Sequence, residues 1–107
     1  MHVLQVSPLS VPSLSVKFPL ILQSLTFLLG LTITQTSQSH VLNNIGSLYN
    51  DLGEKQKALI YFNQALPLQR SVEDRRGEAI TLGNMGTDYS DLGEEQKALD
   101  YYSQALN

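Results

Sequence analysis

Cysteine is absent from the sequence, and histidine occurs only at His2 and His40. Without thiols there is no disulfide framework, no thiol nucleophile and no cysteine-bound zinc. The same absence fits a reducing compartment. The two histidines are far apart, and neither stands in a His-x-x-x-His or Glu-x-x-His spacing, so no metal site is expected. Positive charge is also scarce. The formal net charge is -3 and the isoelectric point is near 5.1, which offers no electrostatic footprint for nucleic acid or an anionic membrane. No motif sets a nucleophile beside a base or pairs carboxylates for proton transfer, so neither an enzyme nor a cofactor is expected. At 107 residues the chain has room for one small domain.

What charge there is lies to one side. Lys17 is the only acid or base before residue 41, whereas residues 41–107 hold ten acids and six bases. The first forty residues are rich in Ser, Thr, Leu and Pro. This shift places a boundary near residue 40, between an N-terminal extension (1–40) and a well-solvated, helix-friendly segment (41–107).

That second segment repeats itself. Residues 41–66, VLNNIGSLYNDLGEKQKALIYFNQAL, align without a gap to residues 81–106, TLGNMGTDYSDLGEEQKALDYYSQAL, with 16 of 26 positions identical. The offset of 40 residues falls in the range of stacked supersecondary units, so the units are 41–80 and 81–107. Each copy predicts two helices. Leu42, Ile45, Tyr49 and Leu52 form an amphipathic stripe, as do Ile80, Leu82, Met85, Tyr89 and Leu92. Gly53 and Gly93 follow where a left-handed helix cap is needed. A second stripe comes next: Ala58, Leu59, Phe62, Ala65 and Leu66 in one copy, Ala98, Leu99, Tyr102, Ala105 and Leu106 in the other. Gly46 with Ala58, and Gly86 with Ala98, leave room for a close helix crossing, filled alongside by Tyr49/Phe62 and Tyr89/Tyr102.

The series Gly46, Tyr49, Gly53, Ala58, Phe62, Ala65, repeated as Gly86, Tyr89, Gly93, Ala98, Tyr102, Ala105, resembles the tetratricopeptide signature over about two thirds of the chain. Leu42 and Leu82 stand where that family often has tryptophan. The 40-residue period is similar to the long repeats of kinesin light chains, Pins-type G-protein regulators and many bacterial arrays. The resemblance implies an all-α fold, an α-solenoid fragment of two helical hairpins with a non-family N-terminal segment. It also implies a scaffold that binds a protein or peptide partner on the concave face, with further repeats or self-association through exposed ends. Two departures carry expectations. Lys55 and Glu95 replace an aromatic residue after the turn glycine and are expected to be surface residues. Asp88 takes a small apolar position and is expected to face solvent at the end of an array. In the long repeats the second helix is extended; here the extension would be Pro67 to Asp74, with Pro67 kinking or ending the helix.

Asn44 and Asn84 occupy equivalent places in the first helix of each copy, the helix that lines the groove in this family. A carboxamide offers a donor and an acceptor, which matches a peptide backbone without demanding a sequence. The same inventory serves a structural bond within or between repeats, and both readings stand. Asn43, Ser47, Asn50 and Asp51, with Thr87, Ser90 and Asp91, would flank the groove. Other candidates read as ordinary structure. Gly83 to Gly86 lies inside a helix and lacks the Lys-Ser/Thr of a phosphate loop. The charged run Glu73, Asp74, Arg75, Arg76 reads as a solvated junction.

Residues 18–33 are apolar but broken by Gln23, Ser24 and Thr26, and they number 16 where a membrane helix needs about 20. A signal peptide could be cut after Ser37, Gln38 and Ser39, but its start is long and holds a single lysine. A short membrane anchor is the second reading. The reading that asks least is a non-family extension, or a truncated or mis-framed stretch, that packs on the first repeat or stays loose. A cytoplasmic location follows from it; export or anchoring follows from the others.

Overall fold

The structure, a computed structural model, describes residues 13–107, with side chains from residue 19 onward. His2 and the opening of the N-terminal segment lie outside the described residues. Four α-helices and no strands make up what is described: α1 (Ser13–Asp51), α2 (Lys55–Ser71), α3 (Arg75–Asp91) and α4 (Glu95–Leu106). The chain divides into two compact units, Met1–Thr32 and Ile33–Asn107.

In the first unit the described chain is the upstream part of α1, whose large apolar side chains, Leu20 through Leu31, are exposed. The polar interruptions are absorbed locally. Thr26 donates its hydroxyl to the carbonyl of Leu22 at 2.8 Å, and Thr32 donates to that of Leu28 at 3.0 Å. A hydroxyl bonded one turn back leaves an apolar helix apolar. The helix continues where the apolar run thins, into residues that belong to the second unit. Pro19–Asp51 is a 33-residue helical stretch, of mean hydropathy 1.3 over its richest window, long and apolar enough to cross a membrane.

The second unit holds the repeats. Residues 33–40 belong to it as the upstream turns of its first helix: Ser39 is fully buried and donates to the Thr36 carbonyl at 2.8 Å, and Gln35 accepts from the Ser71 hydroxyl at 3.1 Å. The helices end as the glycines predict. Gly53 and Gly93 have φ of +80° and +84°, and Glu54 N–H bonds to the Tyr49 carbonyl at 2.8 Å as Glu94 N–H does to that of Tyr89. These are Schellman caps, which satisfy carbonyls the helix leaves open. A third cap closes α2, with Asp74 N–H on the Gln69 carbonyl at 2.9 Å and Glu73 in the left-handed region at φ 57°. Asp74 then caps α3, accepting from Gly77 N–H at 2.9 Å.

α2 runs through Pro67 without ending there. The missing N–H and ring clash cost about 3 kcal/mol in a free helix, and burial of the apolar Phe62, Ala65 and Leu66 beside it holds the helix together. The close crossings are present. A Cβ on Gly46 would stand 2.7 Å from the Phe62 ring, and one on Gly86 would stand 2.7 Å from the Tyr102 ring. Ala58, Leu59, Phe62, Leu66, Leu82 and Met85 form one core cluster, with Tyr49, Tyr89, Tyr101 and Ala105 packed against it. The α4 stripe departs from expectation: Ala98 is buried, but Leu99, Tyr102 and Leu106 are exposed. Burial of the matching α2 residues comes from α3 lying over them, and no described helix lies over α4 in the same way.

Candidate functional site

Asn44 lies on α1 and Asn84 on α3, forty residues apart and in the same register of the repeat. Asn44 is exposed and Asn84 half-buried, and neither carboxamide enters a hydrogen bond within the described residues. Their donors and acceptors are therefore not consumed by their own helices. Ser47 and Asp51 are exposed one and two turns along α1 from Asn44. Asn43 and Asn50 are half-buried, and the Oδ1 atom of each is buried with no hydrogen-bond partner.

The flanking residues on α3 are engaged within the chain. The Thr87 hydroxyl shares a 2.9 Å bond with the Tyr102 phenol and reaches the Gly83 carbonyl at 3.2 Å. Ser90 donates to Glu95 at 3.1 Å. Asp91 pairs with Lys55 at 3.2 Å. The two copies of the candidate surface are thus unequal: α1 carries polar groups that are open, and α3 carries polar groups that brace its own neighbours.

A polar joint between the repeats was not foreseen. Asp88 does not face solvent; it is fully buried on the side of α3 that meets α2. Lys55, at the first turn of α2, approaches it to 3.8 Å, so Lys55 is a joint residue and not a free surface one. Burial pushes the Asp88 carboxyl up to about 6; the Lys55 ammonium and then the neighbouring Asn50 amide pull it down, and Asp91 pushes it up. The Asn50 amide lies beside the carboxylate without a well-formed hydrogen bond, because both Asp88 oxygens are otherwise unpartnered. Thr81 and Gln69 are also fully buried with side-chain polar atoms unpartnered. The one sequence signal for this joint was the asymmetry between copies: Lys55 faces Glu95 in the alignment, and Asp88 faces Leu48.

A second feature recurs in both repeats. Tyr49 stacks on Tyr61 with ring centroids 5.5 Å apart, and Tyr89 on Tyr101 at 5.2 Å. Lys57 lies 5.6 Å over the Tyr49 ring and bonds Glu54 at 3.0 Å; Lys97 lies 5.3 Å over Tyr89 and bonds Glu94 at 3.1 Å. In each lysine the hydrogen bond and charge of that glutamate raise the ammonium above its ordinary value. The Tyr89 phenol is raised mainly by burial. The stack fixes the two helices of each hairpin at their turn, so it positions the face without belonging to it.

Chemically the arrangement offers carboxamides, hydroxyls and one open carboxylate on consecutive first helices. Among the described residues no group of three His, Asp or Glu side chains is gathered to hold a metal ion. A family model described as tetratricopeptide repeat matches residues 37–107. Neither the curated proteins nor the solved structures gave a match.

Proposed function

Since the chain belongs to the tetratricopeptide repeat family, whose repeats mediate protein–protein interaction, we propose that it binds an extended segment of a protein partner along α1 and α3. Asn44 and Asn84 would take the backbone of that segment. The observation that carries this is their equivalent placement on successive first helices with both carboxamides free of internal bonds. Asn43, Ser47, Asn50 and Asp51 would supply side-chain preference on the α1 side. Thr87, Ser90 and Asp91 would contribute less, since each already has a partner. The 40-residue spacing supports a reading as the long type, similar to kinesin light chains and Pins-type regulators. A cytoplasmic location is part of the same reading.

Selection of binders from a library of random unstructured peptides, followed by titration against Asn44→Ala/Asn84→Ala, tests it. Each lost backbone bond is worth about 1 kcal/mol, so affinity should fall by roughly tenfold or more while helicity stays. Unchanged affinity with an earlier melt would make the asparagines structural.

One observation favours a second reading. The large apolar side chains from Leu20 to Ile33 are exposed along α1, so residues 18–33 would tether the repeats to a membrane, or an export signal would lie within them. Recovery of the expressed chain in the membrane pellet supports tethering, and recovery in the supernatant opposes it.

A further inference from the structure

We infer that the groove, read as above as the binding face, takes a cationic segment: a lysine or arginine of the partner lies where α1 and α3 end, and Asp51 takes its charge. His40, Asn44, Ser47 and Asp51 are all exposed. Spaced i, i+4, i+7 and i+11, they share one stripe of α1, about 16 Å long at the rise of an α-helix. Asn44 and Ser47 are neutral, and the stripe ends on a carboxylate. Its counterpart on α3, forty residues on, likewise ends on Asp91. Asn50 of α1 lies beside Asp88 of α3, so the two helices are neighbours at this end.

Both first helices bring the negative end of their macrodipole here, and neither has a basic residue in its last turn. Each instead closes on an aspartate, where an acid is unfavourable. The lysines at the same end are already held. Lys55 pairs with Asp91 at 3.2 Å and Asp88 at 3.8 Å, Lys57 with Glu54 at 3.0 Å, and Lys97 with Glu94 at 3.1 Å. Asp51 enters no ion pair or hydrogen bond among the described residues.

Asp91 displays the contact that Asp51 lacks. It draws its cation from Lys55; forty residues before Lys55 stands Ser15, an uncharged residue within α1 itself. A partner's ammonium or guanidinium on Asp51 would reproduce the Lys55–Asp91 pair. An acidic segment would meet repulsion at the same place, with no lysine or arginine on either stripe to offset it.

Short unstructured peptides selected from a random library against the full chain test this. The selected sequences should share a Lys or Arg at one position, and their affinity should fall with added salt. Asp51→Asn should weaken a selected peptide about threefold and Asp51→Lys about tenfold. Changing the peptide's own cation to glutamate should restore binding to Asp51→Lys and not to wild type. Asp51→Asn should also keep its helicity and melt no lower than wild type, since it removes an acid from a helix C-terminus; it carries the comparison should Asp51→Lys lose helix. Peptides with no shared cation overturn the inference. So does an affinity that Asn44→Ala/Asn84→Ala lowers and the Asp51 variants leave unchanged, and in either case the groove stands. A library that yields no binder, or affinities that none of these variants changes, overturns the groove reading and the cationic partner together.

Discussion

The ammonium of Lys55 stands 3.8 Å from the carboxylate of Asp88, a side chain with no exposed surface. The contact joins the first turn of α2 to the middle of α3 and so ties one repeat to the next. Its distance is long for an ion pair, and the buried oxygens have no hydrogen bond to complete it. A buried charge held that loosely does not recover its desolvation cost.

Stability should therefore fall as pH rises from about 4 to about 6 through this group, and level off above. Asp88 holds its proton to about pH 6 in the folded chain but releases it near 3.9 when unfolded. The folded state binds the proton more tightly, so acid favours folding in that window, by on the order of 1–3 kcal/mol. Asp88→Asn should remove the slope in urea melts taken between pH 4 and pH 7 and stabilise the chain at pH 7. An unchanged slope would assign it to another carboxylate.

Lys55→Ala should be conditional on pH. Above about 6 it leaves Asp88 charged and without its cation, a loss of roughly 1–2 kcal/mol. Near pH 5 the carboxyl is protonated, and only the partly exposed pair with Asp91 is lost, worth a few tenths to about 1 kcal/mol. Thermal melts at the two pH values would show the difference; equal losses would mean that Lys55 acts through Asp91 alone.

Gly46→Ala and Gly86→Ala should differ although their local geometry is nearly the same. Both new methyls would meet an aromatic ring at 2.7 Å. Phe62 is fully buried and cannot retreat, whereas Tyr102 is open to solvent on its outer side. Alanine gains about 1 kcal/mol over glycine inside a helix, and overpacking costs about 1–3 kcal/mol. Gly46→Ala should lower the denaturation midpoint clearly, and Gly86→Ala should be close to neutral.

Glu73→Gly should stabilise. Glu73 occupies the left-handed cap position at φ 57° that glycine fills at the two other turns. The strain on an L-residue there is roughly 1 kcal/mol, partly returned through the entropy glycine adds to the unfolded chain. A rise in melting temperature of a few degrees is expected for a domain of this size; a fall would mean that the glutamate side chain contributes more than its backbone costs.

The residues that could be read from the sequence are those whose role is local. A glycine after Leu52 or Leu92 announces its cap because no other residue takes that conformation as readily, and Gly46 announces a crossing because the space is defined by the missing Cβ. Asp88 could not be read, since its surroundings depend on Lys55, thirty-three positions earlier by the numbering, and on which side of α3 meets α2. The outer stripe of α4 repeats that of α2 almost letter for letter, yet burial belongs to the neighbour that covers it and is not written in the stripe. Pro67 does not end α2 for the same reason, because the buried packing of Ala65 and Leu66 beside it outweighs a lost backbone bond. The candidate surface was legible only as a register: Asn44 and Asn84 fell where the repeat puts them, but the engagement of Thr87, Ser90 and Asp91 came from partners on other helices.

The position of α2, with Phe62 against Gly46 on one side and Leu59 and Leu66 under α3 on the other, gives the molecule an order of melting. Amides near the middle of α2 can exchange with solvent only when both neighbours have let go, so they should report global opening. Those of α4 need only one hairpin to loosen and should exchange sooner. The two repeats share most of their letters, but the one helix covered on both sides, α2, should be the last to open.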